Sequence, residues 1–249
     1  MNQLYFIIPL FNEEQNIERL FNSLENLSKY KELNISFIFV DDGSTDQSEK
    51  KINENKGNLN MTLLQHGKNI GPGFAFGAGF EHISENLTDD DYVVTMEGDN
   101  TSRVGTIKVM LERSIRESQD VILASPYAYG GSLGETVLWR AILSYFANGF
   151  IKVLLGIHGI HTMSSFFRLY KGSLIIKLQK RYGNRILERS GFESMVELLM
   201  KIIAVDATIS EVPIELDTAN RAGKSKMKVI KTGLGYLSLW KDKYRWMSD

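Results

Sequence analysis

Ile35-Ser36-Phe37-Ile38-Phe39-Val40-Asp41-Asp42-Gly43-Ser44 is the stretch on which the fold turns. Its β-branched and aromatic half reads as a strand, and the four residues that follow all favour a turn. Upstream, Leu4-Tyr5-Phe6-Ile7-Ile8 is a nearly continuous apolar run, as expected of a strand buried on both faces, and Pro9 is expected to end it. Asn12 then stands where a helix N-cap belongs, with Gln15 three residues on and Glu13 and Glu14 in the first turn, where the helix dipole favours acids. Ile17, Leu20, Phe21, Leu24 and Leu27 follow at helical spacing.

Downstream the rhythm repeats. Met61 to Leu64 reads as a third strand, followed by a glycine-rich start to a helix around Phe74 to Ile83. Tyr92 to Met96 reads as a fourth, ending at Glu97-Gly98-Asp99, and a helix from about Val104 to Glu117 leads to a strand at Val121 to Ser125. Strands alternating with helices predict an α/β protein with a doubly wound, mostly parallel sheet. After Ser125 the pattern changes to a Tyr/Gly-rich loop and an apolar segment, Val137 to Ile157. A strand near Ser164 to Leu169, a helix from Phe192 to Val205 and a late strand at Ile209 to Leu216 follow.

In such a sheet ligands bind beyond the carboxyl ends of the strands. Glu13 follows the first strand, Asp41 and Asp42 the second, Glu97 and Asp99 the fourth, so residues scattered along the chain are brought to one edge. Glu97 and Asp99, at i and i+2, can turn their oxygens toward one hard cation, which suits Mg²⁺ or Mn²⁺. Gly71-x-Gly73-x-x-x-Gly77 imitates a dinucleotide fingerprint, but its spacing is one residue too long, it follows the third strand and Pro72 sits at its centre.

Composition narrows the class. At 249 residues and 43% hydrophobic, with four prolines, the chain can bury one sizeable core and is neither disordered nor of low complexity. The absence of cysteine excludes disulfides and a thiolate nucleophile and favours a reducing, cytoplasmic compartment. The N-terminus lacks a basic region and does not read as a signal peptide. Arg140, Asn148 and Lys152 interrupt Val137 to Ile157, which is therefore read as a buried or interfacial helix pair and not a membrane span. Residues 1–100 hold seven Lys/Arg against seventeen Asp/Glu, whereas residues 219–246 hold eight Lys/Arg and one acid. An acidic half suits a metal, and a basic half suits a phosphate-bearing partner.

Together these segments resemble the inverting glycosyltransferase family 2. Pro9-Leu10-Phe11-Asn12-Glu13 is similar to its P-x-(Y/F)-N-E motif, Val40 to Asp46 to its V-D-D-G-S-x-D, and Asn69-x-Gly71 to its N-x-G-x-x-x-A segment. Glu97-Gly98-Asp99 stands where the family has its metal-binding D-x-D. Within the family, three further segments resemble the polyprenyl-phosphate sugar transferases of the dolichyl-phosphate mannosyltransferase type. These are Ile160 to Phe166 (D-x-x-S-G-F), Gly191-Phe192-Glu193 with Glu197 (G-F-x-x-x-x-E) and Arg221 to Lys226 (R-x-G-x-S-K). His161 and Ser165 replace the expected Asp and Gly, and Ser125-Pro126-Tyr127 lacks the family's arginine.

The resemblance implies a GT-A, Rossmann-like domain over residues 1–218, with a nucleotide-binding half to about 125 and an acceptor half from 126. A basic, aromatic-rich segment, helical in character, follows at 219–249. It implies that Pro9, Asn12, Glu13, Asp41, Asp42, Asn69, Gly71 and Gly98 surround the nucleotide. Glu97 and Asp99 would hold Mg²⁺ or Mn²⁺, and Asp99, Arg221 and Lys226 would serve the transfer. The implied partners are a UDP- or GDP-sugar and a phosphate-bearing lipid, with peripheral contact on the inner membrane face and no nucleic acid; a homo-oligomer is left open.

Overall fold

The computed structural model describes residues 2–28, 34–136, 138–183, 185–217, 222 and 229–247. Seven strands form one sheet: β1 (Gln3–Leu10), β2 (Asn34–Asp41), β3 (Met61–Gln65), β4 (Tyr92–Thr95), β5 (Val121–Ser125), β6 (Arg168–Lys171) and β7 (Ile209–Pro213). Their order is β3-β2-β1-β4-β6-β5-β7. β6 runs antiparallel to both of its neighbours, β4 and β5, and every other pairing is parallel. The chain leaves β1 in one direction for β2 and β3, then crosses to its other side for β4, so the sheet switches direction between β1 and β4.

The apolar runs behave as strands buried on both faces should. Leu4, Phe6, Ile8 and Leu10 of β1 face one core, which includes helices α1 (Ile17–Ser28), α2 (Ser48–Asn55) and α4 (Thr106–Glu117). Ile7 faces the other, with α3 (Pro72–Ile83), α5 (Leu138–Leu155), α6 (Gly172–Tyr182), α7 (Ser194–Ala204) and α8 (Val229–Met247). The α1 stripe of Ile17, Leu20, Phe21, Leu24 and Leu27 is buried as its spacing predicts, each side chain contributing about 1.5–3 kcal/mol of burial.

Three local expectations fail. Pro9 does not end β1; it lies within the strand, opposite Val40. Ile7 accepts from Met96 N at 3.2 Å on the β4 side, and Pro9, two residues on, turns its main chain the same way. The β4 ladder has already finished at Ile7–Thr95, so the missing N–H costs no ladder bond. Asn12 does not cap α1, which starts at Ile17; with φ 53° it lies in a turn, and its Oδ1 accepts from Thr45 N at 2.8 Å. The stretch read as a helix pair forms one 18-residue helix, Leu138–Leu155.

The C-terminal helix is fastened to the domain by a buried charge cluster. Lys201, with no exposed side chain, donates to Glu197 Oε1 at 2.7 Å, Glu188 Oε1 at 3.1 Å and Ile186 O at 3.1 Å. Glu197 also accepts from Glu188 N at 2.8 Å and Arg189 N at 2.9 Å. Burial pushes the Glu197 carboxyl up, while Lys201 and these two N–H groups pull it down. From α8, Trp246 Nε1 donates to Glu188 Oε1 at 3.1 Å, Arg245 donates to Glu188 Oε2 at 2.5 Å, and Asp242 pairs with Arg189. Glu197 is thus a structural carboxylate, neither solvated nor directed at a ligand.

Removing one partner of such a pair strands the other. Lys201→Met is expected to lower unfolding stability in urea by about 3–5 kcal/mol. Lys201→Met with Glu197→Gln, which removes the stranded charge, should recover part of it. A single-variant loss below about 1 kcal/mol, the scale of an exposed pair, would mean the cluster does not fasten α8.

Candidate active site

The β1/β4 switch point is where an open α/β sheet leaves a crevice at its carboxyl edge. The parallel register sets Leu10 beside Asp41, and Asp42 N donates to Leu10 O at 2.8 Å, so the segments after β1 and β2 start level. They are then stitched together. Asn12 N donates to Ser44 Oγ at 2.9 Å, and Glu13 N to Ser48 Oγ at 2.7 Å. Asp41 Oδ1 accepts from Ser44 N at 2.9 Å, so its own side chain closes the turn three residues on. Gly43 makes that turn feasible: its φ is +74°, and a Cβ there would lie 2.4 Å from the main-chain carbon of Lys68.

Asp42 is buried, and its carboxylate anchors the segment after β3. Oδ1 accepts from Ile70 N at 3.0 Å and meets His66 Nδ1 at 2.8 Å, while Oδ2 accepts from Gly71 N at 2.8 Å. Gly73 N donates to Ser190 O at 2.8 Å. The N–H groups of Gly71 and Gly73 at the start of α3 are therefore spent within the protein, which counts against the dinucleotide reading of this glycine-rich turn. Asn69 is exposed at the turn's edge.

At the β4 end, Gly98 lies directly on β1: a Cβ would fall 2.1 Å from Leu10 Cδ2 and 3.3 Å from Pro9 O. That close approach carries Glu97 and Asp99 to the Pro9–Leu10 strand end. Glu97 Oε2 accepts from Ser102 Oγ at 2.8 Å. Asp99 Oδ1 accepts from Thr101 Oγ1 at 2.6 Å and Thr101 N at 3.1 Å, which fixes its carboxylate plane. Among the described residues no group of three or more His, Cys, Asp or Glu could hold a metal by itself. Two oxygen-donor carboxylates nevertheless fit an Mg²⁺-like ion, which takes one or two carboxylates and completes its shell with substrate phosphates and water.

Two polar residues that the sequence reading did not single out complete the site. Asn16, 2% exposed, donates from Nδ2 to Glu13 Oε2 at 2.5 Å and accepts at Oδ1 from Ala222 N at 2.9 Å. Arg168, fully buried at the start of β6 opposite Thr95, donates to Ser165 O at 2.7 Å and Met163 O at 2.9 Å. Its Nη1 has no hydrogen-bond partner among the described residues. Burial pulls the guanidinium down, and Tyr170 and Glu97 oppose that pull. Because β6 is antiparallel, its first residue reaches the edge where β4 ends.

The acceptor-side expectations divide. Arg221 and Lys226 lie outside the described residues. His161 is exposed, and it is held through its main chain: Glu211 accepts from His161 N at 2.7 Å and Thr162 N at 2.8 Å. Tyr236 of α8 lies beside Ser164, Glu193 and Arg168, and burial pushes its phenol up. Of the aromatics in the C-terminal segment, Trp246 is buried whereas Trp240 and Tyr244 are exposed. No helix of the described residues is long and apolar enough to cross a membrane.

The doubly wound sheet has its acidic groups gathered at the switch point, and comparison with known proteins gives the family. The family model for glycosyl transferase family 2 matches residues 5–178, and the chain belongs to that family. It is 26% identical over 222 residues to a dolichol-phosphate mannosyltransferase of Pyrococcus furiosus, covering 89% of this chain but 58% of that protein's length. A dolichyl-phosphate beta-glucosyltransferase of Trichomonas vaginalis is 27% identical over 236 residues, covering 91% of this chain and 68% of its own. A polyprenol monophosphomannose synthase of Mycolicibacterium smegmatis is 24% identical, covering 89% and 79%. Among solved structures, glucosyl-3-phosphoglycerate synthase from Mycobacterium tuberculosis with Mn²⁺, UDP and phosphoglyceric acid has a TM-score of 0.67 at 16% identity, over 99% of this chain and 79% of that one. The fold is the expected GT-A glycosyltransferase architecture.

Gly43→Ala tests the stitched strand ends. The added methyl has neither room nor an accessible φ, so stability is expected to fall by more than about 1 kcal/mol, measured by urea unfolding. Gly105→Ala, at a right-handed φ with open space around it, is the control and should change little.

Proposed function

We propose that this protein transfers a sugar from a nucleoside-diphosphate sugar, UDP- or GDP-linked, to a phosphate-bearing polyprenyl lipid, with inversion at the anomeric carbon. One observation carries the reading: three carboxylate-bearing segments that are far apart in sequence share one edge of the sheet at the β1/β4 switch point. The named relatives support the acceptor class, since all three carry polyprenyl- or dolichyl-phosphate glycosyl transfer in their names. The Mn²⁺ and UDP in the M. tuberculosis structure support a divalent cation with the donor.

In this reading Pro9, Asn12 and Glu13 with Asp41 and Asp42 form the shelf for the nucleoside, Asn69 and Gly71 bound it, and Gly98 lets the Glu97–Asp99 segment that faces the diphosphate lie against β1. Glu97 and Asp99 would hold Mg²⁺ or Mn²⁺, which when bound offsets charge on the departing diphosphate. An acceptor phosphate oxygen forms the new bond to the anomeric carbon as the bond to the diphosphate breaks. Attack from the face opposite the leaving group inverts configuration. The acceptor is already an anion, so the site needs no strong general base. Arg221 and Lys226 would supply cationic groups for its phosphate.

Peripheral membrane contact is part of the proposal. Trp139, Ile142, Leu143, Tyr145, Phe146 and Phe150 of α5 are exposed, as are Leu237, Trp240 and Tyr244 of α8, which also carries Lys241, Lys243 and Arg245. Apolar and aromatic helix faces flanked by lysine and arginine suit an anionic lipid surface. We also propose residues 1–218 as the catalytic unit and 219–249 as the segment that carries the Arg221–Lys226 motif and the lipid-facing helix.

The test offers UDP-, GDP- and dTDP-sugars with and without Mn²⁺ or Mg²⁺ and follows melting temperature, then product formation on polyprenyl phosphate. A donor at 100 times its Kd should stabilise by about 2.7 kcal/mol, only with metal. Asp99→Asn should abolish the metal-dependent part and lower kcat/KM by about 100-fold, the size of a lost cation contribution of a few kcal/mol. Metal-dependent stabilisation without turnover would leave a sugar-nucleotide-binding protein. No response to any nucleotide would sink the reading.

A further inference from the structure

Asn16 joins segments to which the proposed reaction assigns different tasks. Its Oδ1 accepts from Ala222 N at 2.9 Å and its Nδ2 donates to Ala222 O at 3.2 Å, so one carboxamide pairs with both main-chain groups of a residue 206 positions away. The same Nδ2 donates to Glu13 Oε2 at 2.5 Å. Its main-chain carbonyl accepts from Asn100 Nδ2 at 2.9 Å, and Asn100, held at φ 65°, is the residue after Asp99. Glu13 O in turn accepts from Asn16 N at 2.8 Å. At 2% exposure, these bonds are made out of competition with water.

Only a carboxamide meets these demands. Asparagine offers an acceptor and a two-proton donor in one plane, which is what an adjacent strand presents to a main-chain residue. Aspartate would keep the acceptor for Ala222 N but lose the donor, and it would set a second carboxylate against Glu13. Leucine or alanine would leave both Ala222 groups and the Glu13 oxygen without this partner. Capping α1 does not require the side chain, because Leu20 N is accepted by the Asn16 carbonyl at 3.0 Å.

We infer that Asn16 is a positioning residue of the transfer: it registers the chain at Ala222 against the Glu13 turn, and so makes the placement of that chain depend on what occupies the donor site. The inference rests on the functional reading above, which gives Glu13 and Asp99 to the donor. Arg221 is bonded directly to the anchored residue. A nucleotide that engages Glu13, or a cation that engages Asp99, acts on groups one bond or one residue from Asn16. Coupling of this kind is reciprocal: if the donor steadies residue 222, then anchoring residue 222 tightens the donor.

The experiment uses the full chain and trypsin, which cuts after Arg221, Lys224 and Lys226, with cleavage at the other Lys and Arg sites as internal reference. In the wild type, UDP or GDP with Mn²⁺ is expected to slow cleavage at these three sites. Asn16→Ala should speed it by about tenfold without nucleotide, the scale of an ordinary coupling free energy, and should remove the nucleotide's protection. Ala222→Pro, which deletes the N–H accepted by Oδ1, should do the same at Lys224 and Lys226 (the Arg221–Pro bond itself resists trypsin) and decides the matter if Asn16→Ala does not fold. In turnover, Asn16→Ala should lower kcat more than it raises the donor KM. Cleavage and protection unchanged in both variants would overturn the inference. If the wild type binds no nucleotide, the functional reading fails, and the clamp is then judged on nucleotide-free cleavage alone.

Discussion

β1 is hydrogen-bonded along both edges, to β2 and β4, and packed against helices on both faces. A strand so enclosed has one place left for chemistry, its carboxyl end, and every feature of the proposed donor site is measured from there. Asp42 bonds back to Leu10, Gly98 presses against Leu10 and Pro9, and the Glu13 turn begins three residues beyond. The site's accuracy is therefore inherited from a ladder buried in two cores.

The carboxylates at that edge divide into those committed to the protein and those that orient outward groups. Asp42 accepts from two main-chain N–H groups and meets His66, and Asp41 closes its own turn. Their charge still biases the edge toward cations and toward donors such as a nucleoside's N–H and O–H groups. Asp99 accepts from the hydroxyl of Thr101 and Glu97 from that of Ser102, bonds that orient each carboxylate. In the proposed mechanism the first pair shapes the shelf and the second meets the cation.

Much of this was legible in the sequence because it is local. Strand runs ending in Asp-Asp-Gly-Ser or Glu-Gly-Asp announce both an element and its boundary, and the α1 stripe has the spacing of its helix. What escaped depends on partners far along the chain. Asn16 meets a residue 206 positions on, Arg168 is explained only by an antiparallel strand beside β4, and Lys201 needs Glu188 of the preceding segment as well as Glu197 of its own helix. α2 escaped for another reason: Ser-Glu-Lys-Lys-Ile-Asn-Glu-Asn buries only Ser48 and Ile52 and has no apolar period to read. Asn12 was misread because a residue suited to capping a helix is equally suited to an αL turn, and Thr45 N supplied the competing partner.

The reversed direction of β6 has a consequence for how such a site can change. Donor-side groups arrive on outgoing strand ends, whereas Arg168 and the segment before it arrive on an incoming one. The two sets share an edge and are joined there by Thr95 Oγ1, which donates to Phe166 O at 2.6 Å. A change of length or composition in residues 156–167 would be felt at β4 through that bond and at α3 through Phe166, whose ring centroid lies 5.1 Å from that of Phe76. His161 and Ser165, the departures from the family pattern, fall in that stretch, His161 exposed and Ser165 holding Arg168 through its carbonyl.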